Sequence, residues 1–177
     1  YRAVTLYAME HGMVREDGSI DKDALVSALP GIDIHFEYSP EGSHTFIGDQ
    51  CVDSQIRTLA VSSHVSPVAV IPQVRNFVDE LLVSYGKNGR IVMDGRDIGT
   101  SVFPNADLKI FMVADDKVRA QRRLNEMVAG GQNPDFQEVL ENLKSRDYID
   151  SHRETSPLRQ AEDAVVLDNS DMTLQDQ

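Results

Sequence analysis

The stretch that most constrains the fold is residues 90–104, RIVMDGRDIGTSVFP. Ile91, Val92 and Met93 form a short continuous apolar run. Such a run predicts a strand buried on both faces, as in a parallel sheet covered by helices. The run ends in Asp94-Gly95-Arg96-Asp97, with Gly99 and Thr100 following. In open α/β sheets, ligands sit just beyond the carboxyl ends of the strands. Gly95 and Gly99 let the backbone bend sharply or approach a ligand closely. Arg96 offers a fork of donors for phosphate, and Asp97 offers acceptors. The competing reading is a polar turn in which Arg96 and Asp97 pair at the surface.

Two further apolar runs, 108–113 and 164–167, predict buried strands on either side of helical segments. Between them, Asp115 or Asp116 is expected to cap a helix that Gly130-Gly131 ends. Arg119, Arg122 and Arg123 fall on one side of it. They form either a solvated basic face or a phosphate clamp, because with no acidic residue among them they repel one another unless an anion is present. A second helix opens at Asn133-Pro134. Phe136, Val139, Leu143, Arg146, Asp150 and Arg153 share its stripe, which is apolar for two turns and then ionic. A core-facing stripe that turns ionic is expected to leave the core and face a cleft, unless the helix simply runs out into solvent.

The N-terminal part reads differently. Residues 1–9 look helical from the start with no cap before them, so upstream sequence is expected to be missing. Asp21 is expected to cap a short helix, 22–29. Residues 32–38 and 44–47 alternate apolar and polar across Ser39-Pro40-Glu41-Gly42, predicting a hairpin with one solvated face within a β insertion at about 29–55. His35 and His44 are expected on its surface. With Cys51 they fit no common zinc spacing, so no metal site is expected. A helix over 56–66 should stop before Pro67. Another should start at Pro72 and carry Val74, Phe77, Val78, Leu81, Leu82 and Tyr85 as its core stripe. Arg75 lies beside that stripe, either aimed at a cleft or solvated. The chain stops at Gln177 without a helix to cover its last strand, so downstream sequence is also expected to be missing.

Strands alternating with helices imply α/β architecture with a parallel sheet flanked by helices and a small antiparallel insertion. At 177 residues one domain is expected. The net charge of -12 argues against non-specific nucleic-acid binding. Local arginines can still build a positive cleft, and 12 of the 17 basic residues are arginine, a weak bias towards forked recognition of phosphate. No apolar run approaches the roughly 20 residues of a membrane span. Cys51 is the only cysteine, which excludes an internal disulfide framework and fits a reducing cytoplasm.

Several motifs then come in one order: Tyr1-Arg2, Ile56-Arg57-Thr58, Pro72 with Val74-Arg75, and DGRD-x-GT-x-VFP over residues 94–104. Arg119-Ala120-Gln121-Arg122-Arg123 follows, and then Arg146-Asp147 with Asp150 and Arg153. In this order and spacing the chain resembles bacterial cytidylate kinases over essentially all 177 residues. The resemblance implies a P-loop nucleoside monophosphate kinase fold, the ATP-lid region at 115–155, and transfer of the ATP γ-phosphoryl group to CMP or dCMP with Mg2+. It implies that Ser66, Arg75 and Asp97 read cytosine. Arg2 and Arg96 would hold the CMP phosphate, with Gly95 beside it. Tyr1, Arg146, Asp150 and Arg153 would lie around ribose and phosphate. Arg119, Arg122 and Arg123 would belong to the lid, and Arg96, Arg153, Arg119 and Arg123 would act on the transferring group. It further implies a cytoplasmic monomer that binds neither nucleic acid nor membrane. The G-x-x-x-x-G-K-[ST] P-loop of such kinases does not occur in these residues, so the chain by itself is expected not to turn over ATP. The alternatives are a non-catalytic CMP-binding module and a same-fold small kinase with another acceptor. Ile149 and Ser151 stand where some relatives carry arginine.

Overall fold

Three aspartates start three helices. Asp21 accepts from the Ala24 amide to open α2, Lys22–Ala28. Asp115 accepts from Lys117 and Val118 to open α5, Asp116–Ala129. Asp135 forms a capping box with Glu138 to open α6, Phe136–His152. Each side chain satisfies amides that the first helical turn leaves without partners. The computed structural model describes residues 1–177 except Glu41, Asn88 and Leu174. It divides into two units, Tyr1–Val78 and Asp79–Gln177.

In the first unit, α1 (Arg2–Glu10) precedes α2. β1 (Ile34–Ser39), β2 (Gly42–Ile47) and β3 (Gln50–Cys51) then form an antiparallel sheet in that order. Ile34 pairs with Ile47 and Phe46 with Cys51. Leu6, Val52, Ile56 and Val61 make a core cluster, with Met9 and Ile47 packed on it. The hairpin is where the alternation predicts it. His35 and His44, expected on the surface, are instead half-buried, because His35 stacks on Phe46 and His44 hydrogen-bonds to Asp53.

The helix expected to stop before Pro67 does not. α3 runs Leu59–Ala69 with Pro67 inside it, capped by Thr58, whose side chain accepts from Val61. Proline in a helix interior removes one hydrogen bond. Here it falls in the last turn, and the bond from Val70 N to Ser66 O carries the helix past it. α4 is Pro72–Gly86. Its stripe is buried at Val74 and Val78 and half-buried at Phe77, Leu81, Leu82 and Tyr85.

In the second unit, β4 (Ile110–Val113) and β5 (Val165–Asp168) pair in parallel, Ile110 opposite Val165. α5 packs on α6, burying Ala120, Met127, Val139 and Leu140. The predicted α/β class and the parallel pairing are therefore present. The predicted double burial of these strands is not. Ile110, Met112, Val165 and Val166 are half exposed or more, because the two helices spend their apolar stripes on each other.

The strand expected at Ile91–Met93 is also absent, and Val92 is fully exposed. Gly89 and Arg90 both take left-handed conformations, at φ 63° and 56°. The chain thus enters this run from a turn, and among the described residues no ladder receives it.

Candidate functional site

Within the first unit lie Tyr1, Arg2, Ser66 and Arg75. Arg75 leaves the first turn of α4 and is 1% exposed. Its Nη1 donates to the Ala69 carbonyl at the end of α3, at 3.2 Å. The guanidinium lies 5.1 Å over the Tyr1 ring. A helix C-terminus and an aromatic face both favour a cation, so burial of this charge is compensated. Ser66 lies one turn earlier on α3. Its hydroxyl is buried and has no hydrogen-bond partner among the described residues. Leaving such a group unsatisfied costs about 1–3 kcal/mol. Arg2 donates to the Ile56 carbonyl at 2.8 Å.

Within the second unit, the turn after residue 93 meets the ionic end of α6. Gly95 is needed for space: a Cβ there would stand 2.6 Å from Cγ1 of Ile98. Asp97 begins a single π-helical turn, Ile98–Val102, and its carbonyl accepts from Ser101 at 2.9 Å. The surface pairing of Arg96 with Asp97 is not found, because both reach α6 instead. Arg96 Nε lies 3.3 Å from Asp150 Oδ2, and its Nη2 lies 3.8 Å from Asp147. Asp97 pairs with Arg153 at 3.5 Å, and Arg153 also meets Asp150 at 3.3 Å. Asp150 therefore bridges two arginines. The ionic end of the stripe does not run out into solvent: Asp150 is 2% exposed.

Arg146 shows how crowded the positive charge is. Burial, and then the neighbouring Arg96, push its guanidinium down to about 10, against the pull of Asp150 and Asp147.

The three arginines of α5 have partners, which corrects the expectation that they repel one another unrelieved. Arg119 is 2.6 Å from Asp147 and 3.5 Å from Asp116, and Asp147 raises its pKa. Arg123 is 3.1 Å from Glu126. Arg122 donates to Asn169 Oδ1 at 3.1 Å and to the carbonyls of Asn169 and Met172 at 2.7 and 3.0 Å. None of these partners except Asp116 and Glu126 lies within a helical turn, so the spacing of the arginines could not reveal them. Asp147, which joins Arg96 to Arg119, was not among the predicted site residues; its place beside Arg146 was the one available signal.

The aspartates here are engaged by guanidinium groups, and this cluster does not fit a magnesium ion. Among the described residues one His/Cys/Asp/Glu group is close enough to hold a metal ion. It is His44, Cys51 and Asp53, in the hairpin of the first unit. No helix among the described residues is long and apolar enough to cross a membrane.

A parallel α/β pair beside helices that gather arginines around aspartates is the arrangement of a nucleoside monophosphate kinase. The family profile for cytidylate kinase matches residues 1–177. Cytidylate kinase from Phocaeicola vulgatus is 50% identical over 179 residues, covering 100% of this chain and 78% of that protein. The cytidylate kinases of Bacteroides thetaiotaomicron and Flavobacterium psychrophilum are 49% and 46% identical, covering 78% and 79% of those proteins and 100% of this chain. The chain belongs to the cytidylate kinase family.

Proposed function

We propose that this chain serves the transfer of the ATP γ-phosphoryl group to CMP or dCMP, giving CDP or dCDP and ADP. Family membership supports the reaction class, and the partnerless buried hydroxyl of Ser66 is the observation that carries the base assignment. In this reading Ser66, Arg75 and Asp97 recognise cytosine. The exocyclic amine donates to an oxygen acceptor, where uracil would present a carbonyl and leave both acceptors unpaired.

Arg2 and Arg96, with Gly95, hold the CMP phosphate. Tyr1, Arg146, Asp150 and Arg153 surround ribose and phosphate. An anion beside Arg146 would offset the burial, and then the repulsion from Arg96, that lower its pKa. Arg119 and Arg123 act with Arg96 and Arg153 on the transferring group, and Arg122 belongs with them to the lid over ATP. Phosphoryl transfer depends on such positioning and charge stabilisation more than on covalent help from the protein. A closed lid also excludes water as a competing acceptor. ATP brings Mg2+ as its counter-ion. The chain is read as a cytoplasmic monomer whose partners are nucleotides rather than nucleic acid or membrane.

The test is a thermal melt with CMP, dCMP, UMP or AMP. A ligand at 100 times its dissociation constant adds about 2.7 kcal/mol, or roughly 5–10 °C at this size. CMP or dCMP should raise the midpoint and AMP should not. Ser66→Ala should leave the free protein as stable or more so, and weaken CMP by about tenfold. Equal shifts with all four nucleotides would overturn the cytosine reading.

A further inference from the structure

The hairpin of the first unit holds a side-chain cluster that the phosphoryl-transfer reading does not use. Cys51 on β3 stands opposite Phe46 on β2. Residues two apart on a strand share a face, so His44 lies on the same face as Phe46 and Cys51. Val52 N donates to the Thr45 carbonyl at 2.9 Å, which keeps the chain beside β2 after β3 ends. Asp53 then turns back. Its Oδ1 accepts from the Thr45 amide at 2.8 Å, and its Oδ2 lies 2.9 Å from His44 Nδ1. One nitrogen of His44, the Cys51 sulfur and one Asp53 oxygen all lie within 4.8 Å of one another.

We infer that His44, Cys51 and Asp53 form a binding site for a zinc-type divalent ion, with three protein ligands and a fourth position open to solvent. Zinc takes thiolate, imidazole and carboxylate together at about 2.0–2.3 Å, so the ligand atoms of a tetrahedral site stand about 3.3–3.8 Å apart. The widest separation, up to 4.8 Å, needs to close by about 1.0–1.5 Å, and the His44–Asp53 contact at 2.9 Å needs to open by a few tenths of an ångström. Nearby groups already orient two of the ligands. Ser39 Oγ lies 2.9 Å from His44 Nε2, on the ring edge away from Asp53. The Thr45 amide occupies Oδ1 of Asp53 and leaves Oδ2 for the ion. Outer hydrogen bonds of this kind fix a ligand's tautomer and direction.

Protons balance simply. An ionised carboxylate can only accept, so a neutral His44 in the metal-free protein donates from Nδ1 to Asp53. On binding, the ion takes Nδ1 and the imidazole proton moves to Nε2, where it donates to Ser39 Oγ. The Cys51 thiol releases one proton to solvent as its sulfur joins the ion. A thiolate ligand selects zinc or cobalt over magnesium, which separates this site from the magnesium that accompanies ATP. Sequence spacing could not disclose it, because the third ligand is a carboxylate brought back by a turn.

The test uses the whole chain, reduced and metal-free, titrated with Co2+ and read by absorption. A thiolate-to-cobalt charge-transfer band should saturate at one equivalent, vanish on adding Zn2+, and persist in a large excess of Mg2+. Cys51→Ser should abolish the band. His44→Gln and Asp53→Asn should each weaken cobalt binding by tenfold or more, and His35→Gln, the other histidine on this face, should leave it unchanged. The wild-type titration needs no variant to fold. No band at one equivalent overturns the site, as does a band of undiminished affinity in His44→Gln or Asp53→Asn.

Discussion

Arg153 Nη2 lies 3.5 Å from Asp97 Oδ1, and both side chains are 4% exposed. The contact joins the residue that opens the π-helical turn to the residue that ends α6. Two charges are withdrawn from water here, and a buried pair loses most when one member is removed. Asp97→Asn should therefore cost about 3 kcal/mol. Urea unfolding measures it. Adding Arg153→Met to Asp97→Asn should recover part of the loss, since no uncompensated guanidinium remains. Additive losses would mean that the pair is not coupled.

Arg146 gives a prediction with the opposite sign. Burial, and then the neighbouring Arg96, hold its folded pKa at about 10, below the ordinary guanidinium value. A base with a depressed folded pKa destabilises the fold while it is charged, at every pH below about 10, and the penalty fades as pH rises through that value. Arg146→Met should thus raise the melting temperature at pH 7, with the difference from wild type shrinking towards pH 11. The same variant should lose CMP-dependent stabilisation. A lower melting temperature would contradict the crowding of positive charge.

Gly86 ends α4 where a Cβ would collide with the ring of Phe103. Helix propensity alone favours Gly→Ala by up to about 1 kcal/mol. Overpacking against an aromatic ring costs about 1–3 kcal/mol. The clash should win, and Gly86→Ala should lower stability by about 1 kcal/mol or more in denaturant titrations. Phe103→Leu in the Gly86→Ala background should reduce that cost.

Lys109 Nζ lies 2.8 Å from both oxygens of Asp163, and the lysine side chain is only 8% exposed. The hydrogen bond from Lys109 holds the Asp163 pKa below 3.8. A depressed carboxylate contributes stability above its unfolded pKa and loses it as pH falls through the folded value. Asp163→Asn should melt lower than wild type at neutral pH and converge with it as pH falls below the ordinary carboxylate range. Parallel melting curves across that window would remove the pair from the account.

Legibility followed the range of the interactions. Asp21, Asp115 and Asp135 act within one turn, and the helices they cap could be read from sequence. So could the hairpin, since the partners Ile34 and Ile47 lie on neighbouring strands. The stripe through Val139, Arg146 and Asp150 revealed the face of α6, but not that Asp150 would be shared by Arg96 and Arg153. The run at Ile91–Met93 misled because an apolar run says nothing about whether a ladder partner is in place. Pro67 misled because a proline's effect depends on how much helix remains after it. His44, Cys51 and Asp53 meet only once the pleat and a turn have formed, and no linear spacing encodes that.

The β4–β5 pairing also sets an order in time. Lys109 and Asp163, just outside the paired strands, are 54 residues apart in the chain. Ordering that much chain costs entropy before any ladder bond forms. The packing of α5 on α6 closes over a short connection, and capping favours each helix locally. Contacts local in sequence form faster than distant ones. The helix pair should therefore assemble first and present β5 to a β4 already in place. In pulse-labelling hydrogen exchange, α5 and α6 should gain protection before Val165–Asp168, and a chain stalled during refolding should be one whose last strand has not yet docked.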